Sequence, residues 1–393
     1  MRRSLLAAVL ALACHDGGSK SDVLFDGEAI QVFELTLPPS SVQGLLAQPR
    51  EYQPGTLAWQ GHTFTQVGVR LKGRASFRDI NGKAAFKIKL DEFVPGQRLL
   101  GLRRLTLNNM VQDPDFARER LAYHLYREAG VPAPRCASAR LIVNGQPWGL
   151  YANVETLDDE FVEDHYGKPI GNLYDTSNEH YFIDLKPENL ALFQRETKGE
   201  PADGSDLPQL LQVMAGPEAT FLDDDARVAD LDQWLLVAAV QAVTANWDGF
   251  FASTNNYEIY RPPARGRFVM FPWGEDQSFG KRDNDMLPPD YPIDQSQAHR
   301  GHAVFFDRCL RNPQCLRRYL DAIDKALAAW ERLSLPTELD RIQAQLQPYV
   351  GEGRSPPSME ERAQWINELR AFLNARAPMV RQQVAAARAK LPP

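Results

Sequence analysis

The sequence predicts an α+β protein with a β-rich N-terminal lobe and a mainly helical C-terminal lobe. Short apolar runs separated by Gly, Pro and Asn turns dominate residues 28–155, whereas longer apolar stretches of helical character dominate residues 156–393. The chain has 393 residues, of which 44% are hydrophobic and 24% charged, which is enough apolar material for one large core or two smaller ones. Its formal net charge of -7 argues against a nucleic-acid partner, because that affinity requires clustered Lys and Arg.

The first residues, "MRRSLLAAVLALAC", predict an export signal. The apolar run from Leu5 to Ala13 is far shorter than the roughly twenty residues that cross a bilayer, so residues 1–13 are expected to be a signal peptide. The ending "ALAC" is similar to the lipoprotein box of bacteria, and a chance cysteine in an ordinary signal peptide is the alternative. We therefore expect a lipid on Cys14, a flexible tether over residues 14–27, and a location in the bacterial cell envelope, periplasmic or surface-exposed.

Export would place the other three cysteines in an oxidising environment. Cys309 and Cys315 flank an Asn-Pro pair that favours a turn, so we expect a disulfide between them, with Cys136 left over. No cysteine or histidine pattern has zinc-ligand spacing, and we assign no structural metal.

Four segments between residues 28 and 107 predict strands: "AIQVFELTL", "FTQVGVRLKG", "AAFKIKLDEF" and "LRRLTLNN". In "KAAFKIKLD" the period of two puts Phe86, Ile88 and Leu90 on one face, which we expect to be core. The opposite face carries three lysines: Lys83, Lys87 and Lys89. The period therefore predicts a basic stripe on the outside of the sheet.

A helix and a hairpin follow. "DPDFARERLAYHLYREAGVPAP" predicts a helix, with acidic residues and Pro at its start and with Gly130 and Pro132 at its end. "SARLIVNGQPWGLYANVETL" predicts a β-hairpin, because Asn144-Gly145 supplies the positive φ angles of a tight turn, and Glu155 lies at its end.

In the C-terminal half, "LDQWLLVAAVQAVTANW" is apolar around its circumference and predicts a buried helix that ends near Asp248. A hairpin about "RPPARG" comes next, and the chain after Cys315 is predicted to be helical to its end. The acidic, Gly- and Pro-containing stretch of residues 198–225 predicts a mobile surface insertion.

The "RPPARG" hairpin predicts a cluster of oxygen-bearing side chains. Folding it brings Asn256, at the start of its first strand, next to Asp276, just past its second strand, and near Asp248. Carboxylate and amide oxygens suit Mg²⁺ or Mn²⁺ that is held together with substrate phosphates. Protein kinases use an Asp as base, an Asn several residues later on the metal, and a second Asp on the metal. Asp248, Asn256 and Asp276 occur in that order along this chain, but with different spacing, and neither the HRDxxxxN motif nor the DFG motif is present.

Each of these residues also has a purely structural interpretation. Asp248 could serve a turn, and Asn255 and Asn256 could open a strand; for Asn255 alone the turn is favoured. Lys87 and Lys89 could form a solvated strand face. The tryptophans that flank the acidic residues, at positions 247 and 273, are expected to pack in the core rather than to stack on a ligand.

Seven blocks occur along the chain in this order: "VRLKGRASF", "FKIKLDEF", "LNNMVQDPDFARERLAYHLYREAGVPAPR", "LIVNGQPWGLYANVE", "NLYDT", "NWDGFFASTNNYEIY" and "FPWGEDQSFG". Together they resemble the CotH family, named for a spore-coat protein, whose members are atypical secreted kinases. The resemblance runs from about residue 28 to about residue 385. It implies a two-lobed, atypical protein-kinase-like fold that transfers phosphate from ATP, with Mg²⁺ or Mn²⁺, to Ser or Thr of an extracytoplasmic protein. We expect a monomer that meets the membrane only through its lipid anchor.

The resemblance also implies roles for individual residues. It assigns Asp248 as the catalytic Asp, with Asn256 and Asp276 on the metal. The nucleotide-contacting residues that it implies are Lys87, with Lys72 and Arg74 near the phosphates, and Glu155, which could instead pair with a sheet-lobe lysine. Arg118 matches an Arg of the family, either as a structural ion-pair partner or as a phosphate contact.

The last motif departs from the family pattern. That motif often reads "PWDLD", whereas this chain has Gly274 in place of the first Asp, so we transfer the metal role to Asp276. The departure supports a competing hypothesis, a non-catalytic surface module for adhesion or for envelope or coat assembly.

Overall fold

The N-terminal end of the fold begins earlier than the sequence predicts. The computed structural model describes residues 19–176, 180–297 and 301–392, so the predicted signal peptide and the lipidated Cys14 lie outside the described residues. Lys20–Leu24 form a 3-10 turn, and Leu24 and Phe25 are buried in the barrel core. The predicted tether is therefore wrong for residues 19–27, because these two apolar side chains anchor the segment.

Seven strands close into a barrel, which forms the β-rich lobe. Its strand order is β1-β2-β3-β4-β5-β7-β6, and the barrel closes through the parallel pair β1 and β6, while the other neighbours are antiparallel. The strands are β1 Gln31–Thr36, β2 Gln53–Trp59, β3 His62–Lys72, β4 Ala85–Lys89, β5 Arg104–Asn108, β6 Cys136–Val143 and β7 Gln146–Val154. Phe86, Ile88 and Leu90 are fully buried in the barrel, which confirms the predicted core face.

Lys83 departs from the predicted basic stripe. It is buried, and its ammonium lies 5.2 Å from the ring centre of Phe116 and 5.5 Å from that of Tyr151. Lys83 precedes β4, so the period of two along that strand does not fix its direction.

The described residues also contain eleven α-helices and two smaller sheets. The helices are α1 Pro39–Ala47, α2 Arg118–Ala129, α3 Asp159–Tyr166, α4 Asp206–Met214, α5 Phe221–Val228, α6 Leu231–Val243, α7 Phe250–Ser253, α8 Val304–Arg311, α9 Pro313–Leu333, α10 Leu335–Leu346 and α11 Met359–Ala389. The remaining strands are β8 Leu173–Thr176, β9 Phe193–Arg195, β10 Tyr257–Tyr260, β11 Val269–Pro272, β12 Lys281–Arg282 and β13 Asp285–Met286. Most of the helices and strands of the smaller sheets pack around one large hydrophobic core. The barrel has a separate core. The predicted α+β class is confirmed.

Helix α2 starts five residues later than predicted and ends at Gly130, whose φ of 93° gives the left-handed C-cap that its position indicates. The predicted hairpin is formed by β6 and β7, with positive φ at Asn144 and Gly145.

The segment predicted as a mobile insertion is instead two packed helices. Helices α4 and α5 bury Leu207, Leu211 and Phe221 in the large core. Their apolar residues recur at helical spacing among the acidic ones, and burial of that face holds the segment against the core.

Helix α6 is buried on nearly all sides, as predicted, and leads into the β10–β11 hairpin. Tyr257 pairs with Pro272 in its antiparallel register, so Asn256 and the residues after Pro272 lie at the same end of the hairpin. Cys309 and Cys315 form the predicted disulfide, and Cys136 is buried as a free thiol. Within the described ranges, no helix is both long and apolar enough to span a membrane.

Candidate functional site

A cleft between the barrel and the helical lobe collects most of the predicted site residues. The barrel lines it with the loops that follow β3 and β5, and the helical lobe lines it with the ends of β8 and β10 and with the turn after β11. Five of the predicted residues line this cleft: Lys72, Arg74, Asp248, Asn256 and Asp276.

Two neighbouring side-chain amides hold the carboxylate of Asp248. Asn255 Nδ2 donates to Oδ1 at 2.9 Å, and Asn256 Nδ2 donates to Oδ2 at 2.8 Å. Burial raises the pKa of Asp248 to about 7, and the two amides oppose that rise. The pair of asparagines therefore does more than open a strand: it fixes the orientation of a carboxylate whose pKa lies in the range that general bases use.

Gly249 allows the chain to pass close to α6. A Cβ at this position would lie 2.4 Å from the amide of Gln241, whose Oε1 accepts a hydrogen bond from the backbone N of Phe251 at 3.2 Å. The glycine of "NWDG" thus permits the close approach that places Asp248 beside the two asparagines.

Glu275 is not a cleft residue, although it precedes Asp276. Its carboxylate is fully buried, and Oε2 accepts hydrogen bonds from Asn246 Nδ2 at 2.9 Å and from Ser278 Oγ at 2.5 Å. Asn246 Oδ1 in turn accepts from the backbone N of Asp248 at 3.0 Å. Glu275 thereby connects the turn that carries Asp276 to the turn that carries Asp248. The sequence gives no signal for this connection.

Asp276 presents its carboxylate to the cleft. Its electrostatic neighbours include the cations Lys281 and Lys72, and its own backbone N–H also stabilises the carboxylate. Burial raises the pKa of Asp276 to about 6, and the two lysines oppose the rise. At neutral pH the group is therefore mostly ionised and available to a cation.

Gly274 leaves no space for a side chain. Its φ is 58°, and a Cβ there would lie 2.6 Å from Oδ1 of Asn256. The amide of Asn256 fills the volume that a side chain at position 274 would need, and from there it holds Asp248.

The donor set fits a cation that is shared with a nucleotide. Asp248, Asn256 and Asp276 offer two carboxylates and one amide, and Mg²⁺ is usually held by one or two carboxylates together with substrate phosphates and water. In the part of the chain that the structure describes, no group of three or more His, Cys, Asp or Glu side chains could hold a metal without such help.

A lysine from the barrel and a glutamate from α2 also line the cleft. Lys72, at the end of β3, donates to Asn108 Oδ1, and Asn108 Nδ2 donates to Oε1 of Glu119 on α2 at 2.6 Å. Burial lowers the pKa of Lys72 and raises that of Glu119, each to about 8. Neither Asn108 nor Glu119 was predicted as a site residue, because no spacing rule connects them to Lys72.

Lys87 is not among the residues that line the cleft. The register pairs Lys87 with Arg70, whereas Lys72, at the open end of β3, pairs with Ala85. Lys87 therefore lies further along the sheet, where its charge lowers the pKa of Asp175, although burial of that carboxylate raises it overall to about 6. Asp175 itself lines the cleft, as does Lys72, and the nucleotide contact of Lys87 stays a prediction.

Glu155 does not line the cleft either. Its carboxylate accepts hydrogen bonds from the backbone N of Arg135 at 3.0 Å and from Nη2 of the same residue at 2.5 Å. Glu155 thus pairs with an arginine, and not with the sheet-lobe lysine of the alternative. Lys89 forms an ion pair with Glu92 at 2.6 Å on the strand surface.

Arg74 lies at the mouth of the cleft. Its Nη2 donates to the carbonyl of Thr176 at 3.2 Å, and its guanidinium lies 5.1 Å from the ring centre of Tyr181. Trp273 lines the cleft and lies 5.4 Å from Lys72 Nζ, so it is more than core packing.

Arg118 is a structural residue. It is fully buried, pairs with Asp115 at 2.8 Å, and donates to the carbonyls of Ser278 and Phe279 at 3.0 and 3.1 Å. These bonds fasten the start of α2 to the segment that follows Asp276.

Comparisons with known proteins show what the chain is similar to. The family model described as CotH kinase protein matches residues 69–380. The inner spore coat protein H of Bacillus subtilis is 27% identical over 253 residues, which are 59% of this chain and 68% of that protein. Invasin CotH3 of Rhizopus delemar is 26% identical over 265 residues, 63% of this chain, and invasin CotH2 of the same organism is 25% identical over 283 residues, 67% of this chain. The matches span 43% and 46% of these two invasins, less than half of their length.

Among solved structures, the proinflammatory kinase CtkA of Helicobacter pylori is similar at 9% identity, with a TM-score of 0.34 over 77% of this chain and 94% of CtkA. That superposition is too loose to establish a shared fold. The family model, in contrast, covers most of the chain and both sides of the cleft. The chain belongs to the CotH kinase family.

Proposed function

We propose that the protein transfers the γ-phosphoryl group of ATP to a Ser or Thr hydroxyl of an extracytoplasmic protein. The observation that carries the proposal is Asp248, a carboxylate with a pKa of about 7 that two amides hold in a cleft shared with Asp276 and with Lys72. Membership of the CotH kinase family supports the reaction class.

Asp248 acts on the acceptor. The bond between the γ-phosphorus and the β,γ-bridging oxygen breaks, a bond from phosphorus to the acceptor oxygen forms, and ADP leaves. Asp248 orients the acceptor hydroxyl and takes its proton, which requires the ionised carboxylate and hence a pH near or above 7. The amides of Asn255 and Asn256 keep the carboxylate in place, so positioning supplies much of the effect.

The nucleotide and its cation would occupy the rest of the cleft. Asn256 and Asp276 would hold Mg²⁺ or Mn²⁺, which neutralises charge on the phosphates when bound. Lys72 places a positive charge on the opposite wall, and Glu119 keeps it there through Asn108. Arg74 adds a second cation at the mouth.

An extracytoplasmic acceptor rests on two features. The predicted signal peptide would export the chain. The disulfide between Cys309 and Cys315 is of a kind that persists in oxidising compartments.

Transfer from labelled ATP to a Ser/Thr-rich acceptor protein, with Mg²⁺ and with Mn²⁺, tests the proposal, using Asp248→Asn as the matched variant. We expect transfer by the unmodified protein and its loss, by a factor of roughly 10² or more, in the variant. Equal transfer by both proteins would refute the role of Asp248. Absence of nucleotide binding in calorimetry with either cation would refute the function.

A non-catalytic surface module is the second candidate. Two relatives carry the name invasin, and Gly274 leaves the site with one carboxylate fewer than the family motif often has. Thermal unfolding separates the candidates, because a ligand that binds only the folded state raises the melting temperature with its occupancy. A melting temperature that does not change with Mg-ATP or Mn-ATP would favour the module.

A further inference from the structure

A second cavity lies behind α2, on a different face of that helix from Glu119. It has a volume of about 280 Å³ and is enclosed by α2, the start of β6, α10 and the N-terminal segment. The cationic side chains that line it are four arginines and one histidine: Arg120, His124, Arg127, Arg135 and Arg341. Three carboxylates also line it, and Glu155 pairs with one of the arginines from outside the lining, so any unbalanced positive charge lies on particular side chains rather than over the whole recess.

Two of the four arginines have carboxylate partners of their own. Arg341 forms a two-pronged pair with Glu338, with both distances at 2.8 Å. Arg135 pairs with Asp22 and with Glu155, the latter at 2.5 Å. Those two guanidiniums are therefore neutralised by the protein.

The other cations share one face of α2. Arg120, His124 and Arg127 follow the i, i+4, i+7 spacing of a helix face. Arg127 Nη1 donates to the carbonyl of Pro134 at 2.5 Å, and in the described ranges no carboxylate lies within ion-pair distance of this guanidinium. Arg120 reaches Glu338, which already serves another arginine, at 3.7 Å. Burial lowers the pKa of all three groups, as expected where positive charge is incompletely balanced.

We propose that this cavity binds a tetrahedral oxyanion, either free phosphate or the phosphoryl group of a small phosphomonoester, through Arg120, His124 and Arg127. Guanidinium groups match the geometry of phosphate oxygens and form charge-assisted hydrogen bonds with them. The volume lies just below the roughly 300–1,000 Å³ of drug-sized sites, which suits a small ligand. The site is separate from the cleft, and the proposal is independent of the phosphoryl-transfer function.

The test is thermal unfolding and calorimetry of the full chain with sodium phosphate, sodium sulfate and glycerol phosphate, at ionic strength held constant with NaCl because screening alone alters charged surfaces. We expect a saturable rise in melting temperature with phosphate. Arg127→Gln should weaken phosphate binding by about ten- to a hundredfold, the equivalent of one charge-assisted hydrogen bond. Tighter binding of glycerol phosphate than of phosphate would identify a phosphomonoester as the ligand, and equal or weaker binding would identify the free anion.

Controls separate this cavity from the cleft and from general charge effects. Lys72→Gln removes a cation from the cleft and therefore reports any phosphate that binds there, whereas Arg332→Gln, which removes an exposed arginine paired with Glu128, should leave phosphate binding unchanged. His124→Gln serves as a second variant if Arg127→Gln fails to fold, and it should weaken binding severalfold. The proposal is overturned if phosphate gives no saturable shift, or if the shift is lost in Lys72→Gln and retained in the cavity variants.

Discussion

Replacing Gly274 by Asp should damage the site, although it adds the carboxylate that the family motif often has. The backbone at position 274 is left-handed, with φ at 58°, which costs a residue with a Cβ roughly 1–2 kcal/mol. The new Cβ would also lie 2.6 Å from Asn256 Oδ1, so the amide of Asn256 must move. That movement breaks its hydrogen bonds to the carbonyl and to Oδ2 of Asp248, at 3.1 and 2.8 Å. At about 0.5–1.5 kcal/mol per hydrogen bond, the total destabilisation is roughly 2–5 kcal/mol.

Gly266→Asp is the matched control for this substitution. Gly266 lies at the other end of the same hairpin with φ at 64°, and a Cβ there would lie 3.8 Å from Arg261 Nη2, an ordinary contact. The control therefore carries the backbone strain and the added charge without displacing Asn256. Its free energy of unfolding should fall by roughly 1–2 kcal/mol.

Equilibrium unfolding in urea measures the difference between the two variants, and electron paramagnetic resonance measures bound Mn²⁺. We expect Gly274→Asp to lose more stability than Gly266→Asp and to bind Mn²⁺ more weakly than the unmodified protein. The reasoning is refuted if Gly274→Asp binds Mn²⁺ more tightly than the unmodified protein while losing no more stability than the control.

Three further predictions follow from the site. Lys72→Met should weaken ATP binding, measured by calorimetry, by about tenfold or more. Lys87→Met should change ATP binding by less than about threefold, because only Lys72 lines the cleft. A larger loss of binding in Lys87→Met than in Lys72→Met would identify Lys87 as the nucleotide contact. Glu275→Leu should lower kcat, and Glu275→Gln should retain most of it, because Gln can still accept from Asn246; equal loss in both variants would contradict a positioning role. Burial raises the pKa of both Asp248 and Glu275 to about 7. Between about pH 4 and pH 7 the unfolded chain therefore binds fewer protons than the folded chain. Without ligand, the free energy of unfolding should fall as the pH rises through this range. Mn²⁺ should raise the melting temperature more at about pH 8 than at about pH 5.5, because burial raises the pKa of its proposed ligand Asp276 to about 6, and an equal rise at both pH values would contradict the ionisation of Asp276.

The repeating patterns of the sequence determined much of the fold. The period of two in "FKIKL" placed Phe86, Ile88 and Leu90 in the core, and Asn144-Gly145 determined the β6–β7 turn. These features depend on residues that are close together along the chain, and sequence patterns predict structure over that range. The "RPPARG" hairpin likewise brought the segments around Asn256 and Asp276 to one end.

Apolar residues in acidic surroundings were harder to interpret from the sequence. Residues 198–225 have a composition typical of a surface insertion, yet their few apolar side chains recur at helical spacing and bury against the large core. The N-terminal segment was misjudged in the same way on a smaller scale, because the buried side chains of Leu24 and Phe25 hold it to the barrel, together with the ion pair between Asp22 and Arg135. The average composition of a segment does not show whether its few apolar side chains will be buried in a core.

Which residues meet across the cleft was decided only by the tertiary structure. The resemblance implied that Lys87 contacts the nucleotide and that Lys72 lies near its phosphates, and the register of β3 against β4 placed Lys72 at the open end. Glu119 reaches Lys72 through Asn108, which lies 11 residues before Glu119, and Glu275 reaches Asp248 through Asn246, which lies 29 residues before Glu275. Local sequence fixes the direction of a side chain relative to its own strand or helix, whereas its partner depends on how separate elements pack. The sequence therefore determined the residue types of the site, and the packing of the barrel against the helical lobe determined which of them share the cleft.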